Sequence, residues 1–158
     1  METHPLRMID VGGKPVSPRT ARASGRLLAA AETIRRIRTG SLEKGDAIAA
    51  ARLAGIMAAK RTADMIPLCH PLPLDSVDVF IDFDTPGEVT IHATVTTVAR
   101  TGVEMEALLA VSAAALTLYD MTKSIDPGMV IDRIRLEEKT GGTRGDWKRQ
   151  AGVTPSGS

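Results

Sequence analysis

The sequence is poor in aromatic residues and has a single cysteine. Only 3% of its 158 residues are Phe, Trp or Tyr, so a core has to be built from Ala, Val, Ile, Leu and Met. Cys69 alone cannot form an internal disulfide, which is typical of proteins from reducing compartments. The apolar fraction of 43% is still sufficient for a folded core and argues against wholesale disorder.

Long hydrophobic runs and a strong net charge are also missing. The longest mostly apolar run, 107–119, is shorter than the roughly 20 residues that span a bilayer. Residues 1–25 lack the apolar stretch of a secretory signal, and we therefore expect a cytoplasmic protein. The net charge of +1 identifies no partner. Basic residues dominate 1–38 and acidic ones 64–106, so the basic segment could contact either the acidic one or an anionic ligand.

The hydrophobic periodicity predicts an α+β fold. Helices on one face of a mainly antiparallel sheet would form a ferredoxin-like sandwich. We expect one domain over residues 5–149, with loose termini at 1–4 and 150–158. Strands are predicted for 6–11, 19–28, 77–83, 89–96 and 131–136, and helices for 30–38, 46–65 and 101–124.

Two local patterns refine the helix predictions. In the helix over 46–65, Ala51 and Gly55 should leave a groove for a neighbouring helix, beside an apolar stripe. That stripe consists of Ile48, Leu53, Ile56 and Met57. Thr101 and Glu104 have the spacing of a capping box at the start of the last helix.

The loop over 66–74 contains three prolines and presents Cys69 and His70. Proline-rich loops have little unfolded-state entropy to lose, so a rigid loop with one imidazole suits recognition or proton transfer. A plain helix-to-strand connector is the alternative. Zinc sites need three or four ligands, and too few are available here, so we expect no metal. A Cys–His nucleophile is also disfavoured, because adjacent residues in an extended loop point apart.

The last helix carries two sets of charged residues. Asp120 and Lys123 lie side by side at i and i+3, either as a solvated surface pair or as an acid/base couple. Glu106 and Asp120 share a helix face but lie roughly 21 Å apart along the axis. If both are functional, an antiparallel copy of the helix across a two-fold axis could bring them together.

Two further segments could bind phosphate. Lys44 precedes the helix at 46, where helix N-terminal N–H groups attract anions, although a simple cap by Asp46 is an equal alternative. Lys139 opens a Lys-Thr-Gly-Gly segment whose glycines would let backbone N–H groups approach phosphate oxygens. Such segments are also common in flexible tails.

Three blocks in this order resemble one known family. They are Cys-His-Pro-Leu at 69–72, Gly-Val-Glu-Met-Glu-Ala-Leu at 102–108 and Tyr-Asp-Met-Thr-Lys at 119–123. Together with the Lys-Thr-Gly-Gly segment they resemble the cyclic pyranopterin monophosphate synthases of molybdenum cofactor biosynthesis, over residues 5 to 149. The family usually has Lys-Ser where this chain has Thr143-Arg144, so the positive charge is retained one position later.

The resemblance implies a phosphorus–oxygen lyase without a cofactor. It would convert 3′,8-cyclo-7,8-dihydroguanosine 5′-triphosphate to cyclic pyranopterin monophosphate and pyrophosphate, in a homohexamer (a trimer of dimers) with sites between subunits. The catalytic acid/base pair would be Asp120 and Lys123. Substrate would be contacted by Leu68, Cys69, His70, Glu104, Met105 and Glu106, with basic groups from Lys44, Lys139, Arg19 and, less securely, Lys14.

Two alternatives follow from the same residues. A non-catalytic nucleotide-binding module on this fold would bind the triphosphate without releasing pyrophosphate. An RNA-binding α+β domain would stack bases on exposed aromatic side chains, and a chain with so few aromatic residues is poorly suited to that task.

Overall fold

A computed structural model describes residues 1–151 of the chain. The strands are β1 (Ser17–Leu28), β2 (Ser76–Asp82), β3 (Glu88–Ala99), β4 (Val130–Thr140) and β5 (Trp147–Lys148). The helices are α1 (Ala31–Thr39), α2 (Ala47–Lys60), α3 (Thr62–Met65) and α4 (Glu104–Thr122). The expected loose segment at 150–158 lies mostly outside the described residues, and residues 1–16 form neither helix nor strand.

The strands form one antiparallel sheet in the order β2-β3-β1-β4-β5. The first four have the order and directions of the split βαβ arrangement, which confirms the predicted ferredoxin-like α+β class. β1 and β3 pair along their whole length, from Ser17 opposite Ala99 to Leu28 opposite Glu88. Because side chains alternate across a strand, one face of the sheet is apolar, and α4 packs on that face with α2 beside it.

Small residues allow α2 and α4 to approach closely. A Cβ added at Gly55 of α2 would lie 2.9 Å from the carbonyl oxygen of Ala110 in α4 and 2.9 Å from Val79 Cγ2 in β2. The groove predicted at Ala51 and Gly55 is therefore confirmed. The core is made of aliphatic side chains and many alanines, as the scarcity of aromatic residues requires.

The predicted apolar stripe of the second helix is only half confirmed: Ile48 and Ile56 pack against the core, whereas Leu53 and Met57 are exposed. The buried residues of α2 are Ala47, Ala51, Gly55 and Ala59, which recur every four residues along the face toward α4. Leu53 points outward with 61% of its surface exposed. The helix also ends at Lys60, because Arg61 leaves the helical region with φ −115° and a separate short helix, α3, follows.

Three other expectations about local structure differ from the observed fold. The strand expected at 6–11 does not form, since this segment pairs with no strand of the sheet. The capping box is absent: Val103 occupies the N-cap without a side-chain hydrogen bond, and the Glu104 carboxylate contacts Lys139 instead. Strand β5 was not predicted, because two residues carry no periodicity.

Helix α4 is long and apolar enough to cross a membrane by length and composition alone. In this fold it is the central helix of the core. Its buried residues include Ala107, Val111 and Leu118, which pack against the sheet and α2. Burial in the domain thus accounts for its apolar character.

A larger side chain at Gly55 should destabilise the fold. Gly55→Val would overlap the Ala110 carbonyl and Val79, and overpacking of this kind costs about 1–3 kcal/mol. The measurement is urea unfolding at one fixed protein concentration. The matched control is Ala49→Val on the exposed face of α2, which should change the free energy of unfolding by no more than about 0.5 kcal/mol. Equal effects of the two substitutions would contradict the close packing.

Candidate active site

A cavity of about 590 Å³ opens beside the N-terminal end of α4. Its walls come from the start of β1, the loop before β2, the first turn of α4 and the turn after β4. This volume is within the range of small-molecule sites, roughly 300–1,000 Å³. The predicted substrate residues that line it are Arg19, Leu68, Cys69, His70, Glu104, Met105 and Lys139.

The charged residues in the cavity walls are mainly cationic. Lys14, Arg19, Lys139 and Arg144 all line it, so the substituted Thr143-Arg144 pair keeps a positive charge in this wall. The opposing charge is Glu104, whose Oε1 lies 3.5 Å from Lys139 Nζ. Clustered cations around a concave surface suit a polyanionic ligand such as a phosphate chain.

The basic residues of the N-terminal segment are of two kinds: some form ion pairs across the sheet, and others line the cavity. Arg26 pairs with Asp132 of β4 and with Glu88 of β3, and Arg22 pairs with Glu138. Lys14 and Arg19 instead line the cavity. Of the acidic partners, only Glu88 belongs to the acidic segment 64–106, so Arg26 makes the predicted contact between the two segments. Binding of an anion by Lys14 and Arg19 stays a prediction.

Cys69 of the cavity wall makes a partly buried contact with Glu106 behind it. Cys69 Sγ donates to Glu106 Oε1 over 3.8 Å, and Glu106 is only 3% exposed. Its Oε2 has no hydrogen-bond partner within residues 1–151. Burial, with a contribution from the Glu104 charge, raises the pKa of Glu106.

The thiol is held in its neutral form. Burial raises the pKa of Cys69, and the nearby Glu106 carboxylate adds to this shift. A raised pKa disfavours the thiolate, which is the nucleophilic form of cysteine. The contact therefore supports a hydrogen-bonding role for Cys69, in line with the sequence argument against a Cys–His nucleophile.

Glu106 faces a second, smaller cavity of about 110 Å³. His70 lines both cavities, and Lys60, Arg61 and Asp64 complete the charged part of the smaller one. The end of α2 and the Cys-His loop thus meet behind the main cavity. Across the described residues, no group of three or more His, Cys, Asp or Glu side chains is arranged to hold a metal ion.

The predicted acid/base pair lies at the other end of α4. Lys123 Nζ is 2.8 Å from Asp120 Oδ1, and Lys44 Nζ is 3.1 Å from Asp120 Oδ2. Lys123, followed by Lys44, lowers the pKa of the Asp120 carboxyl, while Asp120 raises the pKa of Lys123. The cluster is exposed, and the contact between Asp120 and Lys123 favours the ionised form of both.

One chain therefore brings the predicted residues into two groups. Most substrate residues surround the main cavity, Glu106 lies behind it, and Lys44 joins Asp120 and Lys123. Along α4 the two groups are roughly 21 Å apart. Cavity residues that the sequence reasoning did not assign include Ile9, Ile66 and Thr101. Of these, Thr101 could have been found from its place directly before the Gly-Val-Glu-Met-Glu block.

Comparison with known proteins identifies the family. The model of the MoaC family matches residues 8–142. The chain belongs to the MoaC family. Similar curated proteins are named cyclic pyranopterin monophosphate synthase, which confirms the resemblance found from the sequence blocks.

Three of these MoaC relatives illustrate the extent of the similarity. The Mycobacterium bovis protein named cyclic pyranopterin monophosphate synthase 1 is 57% identical over 145 residues, covering 92% of this chain and 85% of the relative. The synthase of Thermomicrobium roseum is 57% identical over 147 residues (91% and 87%). That of Streptomyces avermitilis is 55% identical over 148 residues (94% and 86%).

The buried Glu106 should make stability depend on pH. Because its pKa is raised in the folded state, the native protein binds more protons than the unfolded chain between the two pKa values. Stability should therefore fall as pH rises from the unfolded pKa, about 4.3, through the folded one. Glu106→Gln should remove this slope and stabilise the protein at neutral pH.

The measurement is denaturant unfolding from pH 4.5 to 8 at constant protein concentration. Glu43→Gln, at an exposed position, is the matched control and should retain the wild-type slope. An unchanged slope in Glu106→Gln would show that Glu106 is ionised in the folded protein.

Proposed function

We propose that this MoaC protein is a cyclic pyranopterin monophosphate synthase of molybdenum cofactor biosynthesis. It converts 3′,8-cyclo-7,8-dihydroguanosine 5′-triphosphate to cyclic pyranopterin monophosphate and pyrophosphate, as a cytoplasmic phosphorus–oxygen lyase with one catalytic domain over residues 5–149. The observation that carries this proposal is the cationic cavity formed by the sequence blocks shared with the family. The names of the relatives do not favour the non-catalytic alternative.

The cavity offers separate contacts for the two parts of this substrate. Arg19 and Lys139, with Lys14 and Arg144 nearby, neutralise the triphosphate, and the planar Arg19 guanidinium can bind two oxygens at once. Leu68, Cys69 and Met105 surround the nucleoside with apolar and weakly polar atoms. Cys69 and Glu106 contribute hydrogen bonds, and the raised pKa of each group limits the negative charge close to the triphosphate.

Asp120 and Lys123 serve as the acid/base pair. Opening the purine ring and closing the pyran ring require several proton transfers, which positioned carboxylate and ammonium groups accelerate. Departure of pyrophosphate also requires stabilisation of developing negative charge. Lys44, which contacts Asp120 directly, adds a second cation at this position.

A second copy of the chain unites the two groups. Met105, Ser112, Leu116 and Lys123 lie within about 40° of each other around the α4 axis. Met105 is 39% and Leu116 is 61% exposed, so this outer stripe offers apolar surface for association. A two-fold axis near Ser112 would place Asp120 and Lys123 of one subunit beside the cavity of its partner. Three such dimers form the homohexamer.

The acid/base assignment predicts a loss of turnover. Asp120→Ala and Lys123→Ala should each reduce kcat about 10²-fold or more, while the oligomer stays intact. The measurement is mass spectrometry of product together with released pyrophosphate. Glu32→Ala is the matched control, because Glu32 and Arg35 form an exposed i,i+3 pair of similar geometry. Near wild-type turnover in either variant would show that the pair is a surface ion pair.

Sites shared between subunits predict complementation between inactive variants. Lys123→Ala and Arg19→Ala would each be inactive alone, but random mixing of their subunits should restore roughly a quarter of wild-type activity, since one site in each mixed dimer is intact. Mixing Asp120→Ala with Lys123→Ala should restore none, because both residues come from one subunit. Failure of the first mixture to recover would place the whole site within one chain.

A further inference from the structure

The Arg19 side chain is held against the wall of the cavity with most of its donors unused. Its Nη2 donates to the carbonyl oxygen of Arg100 over 3.1 Å. Within residues 1–151 this is the only hydrogen bond of the guanidinium, and Nε is buried without an acceptor. Arginine has five N–H donors, so the group is positioned by the protein yet free to bind an anion.

The turn after β4 lies directly on this guanidinium. Gly141 and Gly142 have φ values of +93° and +88°, a conformation that favours glycine. A Cβ added at Gly142 would overlap Arg19 Nη1 and lie 2.7 Å from Cζ. One added at Gly141 would instead overlap the backbone carbonyl of Pro18. The second conflict involves fixed backbone, whereas the first could be relieved by moving the Arg19 side chain.

The turn itself is fixed by its own contacts. The Gly141 N–H donates to Asp146 Oδ1 over 3.0 Å, and the Gly145 N–H donates to the Gly142 carbonyl over 3.3 Å. Strand β5 continues the restraint, since Trp147 pairs with Lys139 of β4. The guanidinium is thus confined between a restrained turn on one side and the Arg100 carbonyl on the other.

We propose that Gly142 is a positioning residue, whose missing side chain determines where Arg19 presents its free N–H groups to the phosphate chain. This role rests on the proposed function of the site. Gly142 acts through Arg19, and its own N–H is not required to touch the ligand. The glycine pair therefore has two separate tasks: Gly141 permits the turn, and Gly142 admits the guanidinium.

The test compares two glycines with similar positive φ values. Gly142→Ala should weaken binding of inorganic tripolyphosphate, measured by calorimetry, by at least about tenfold. It should raise KM for the cyclic triphosphate substrate more than it lowers kcat. Gly87, in the turn between β2 and β3 and outside the cavity lining, has φ +80° and nothing within 4 Å of an added Cβ. Gly87→Ala therefore measures the effect of a side chain at positive φ without a change in the cavity wall and should change binding less than about threefold.

A double-substitution cycle separates positioning from general damage to the turn. On an Arg19→Ala background, Gly142→Ala should cause no further loss of tripolyphosphate binding, because the group that it displaces is absent. Equal losses in the two glycine variants, or an additive loss on the Arg19→Ala background, would overturn the proposal. If Gly142→Ala does not fold, recovery of folding in the double variant supports it, and failure of the double variant contradicts it.

Tripolyphosphate binding needs no turnover, so the two proposals fail separately. Coupling between Gly142 and Arg19 without any pyrophosphate release by the wild-type protein would leave the positioning role intact and reject the synthase activity. Turnover by the wild-type protein without coupling between Gly142 and Arg19 would support the synthase activity and reject the positioning role.

Discussion

The contact between α2 and α4 at Gly55 determines where the rest of the molecule lies. With no side chain at this position, the α2 backbone reaches the Ala110 carbonyl and the Val79 side chain. This brings α4 down onto β1, β3 and β4 with alanines filling the interface. The position and direction of α4 on the sheet then place its first turn at the large cavity and its last turn beside Lys44. A chain with few aromatic residues obtains its rigidity from this close approach of backbones.

The two ends of α4 provide opposite electrostatic environments. At the N-terminal end, burial raises the pKa of Glu106 and favours the neutral carboxyl. At the C-terminal end, two lysines lower the pKa of the solvent-exposed Asp120. One helix thus carries one carboxyl group with a raised pKa and another with a lowered pKa. Bringing the two ends of different copies together would place these contrasting groups in one reaction site.

The sequence predicted the topology better than the packing. The alternation of apolar and polar residues in β2 and β3 clearly predicts strands, because one face of each strand is buried inside the domain. In α2, Leu53 and Met57 were assigned to the core, yet the buried positions are alanines and a glycine. Apolar side chains at regular spacing indicate a buried helix face. The spacing does not show whether that face is buried inside the domain or covered by another subunit.

The candidate site was predictable to the extent that it follows from local motifs. The Cys-His block and the Gly-Val-Glu-Met-Glu block were assigned to substrate, and they line the same cavity. The contact between Lys44 and Asp120 could not be predicted, because it depends on how α2 packs alongside α4, and the partners are 76 positions apart in the sequence. The contact between Gly142 and Arg19 is similarly long-range, since it requires the pairing of β1 with β4.

The position of the tail gives the protein an internal optical reporter. Trp147 is the single tryptophan of the chain; it is 41% exposed on β5, opposite Lys139 in the β4–β5 ladder. The guanidinium of Arg149 lies 5.4 Å from the centroid of its indole ring. The tryptophan emission of the protein therefore comes from one place, next to a lysine of the cavity wall. Because an indole senses the charge and solvent around it, this emission is suited to reporting ligand binding in the unlabelled protein, without a background from other tryptophans.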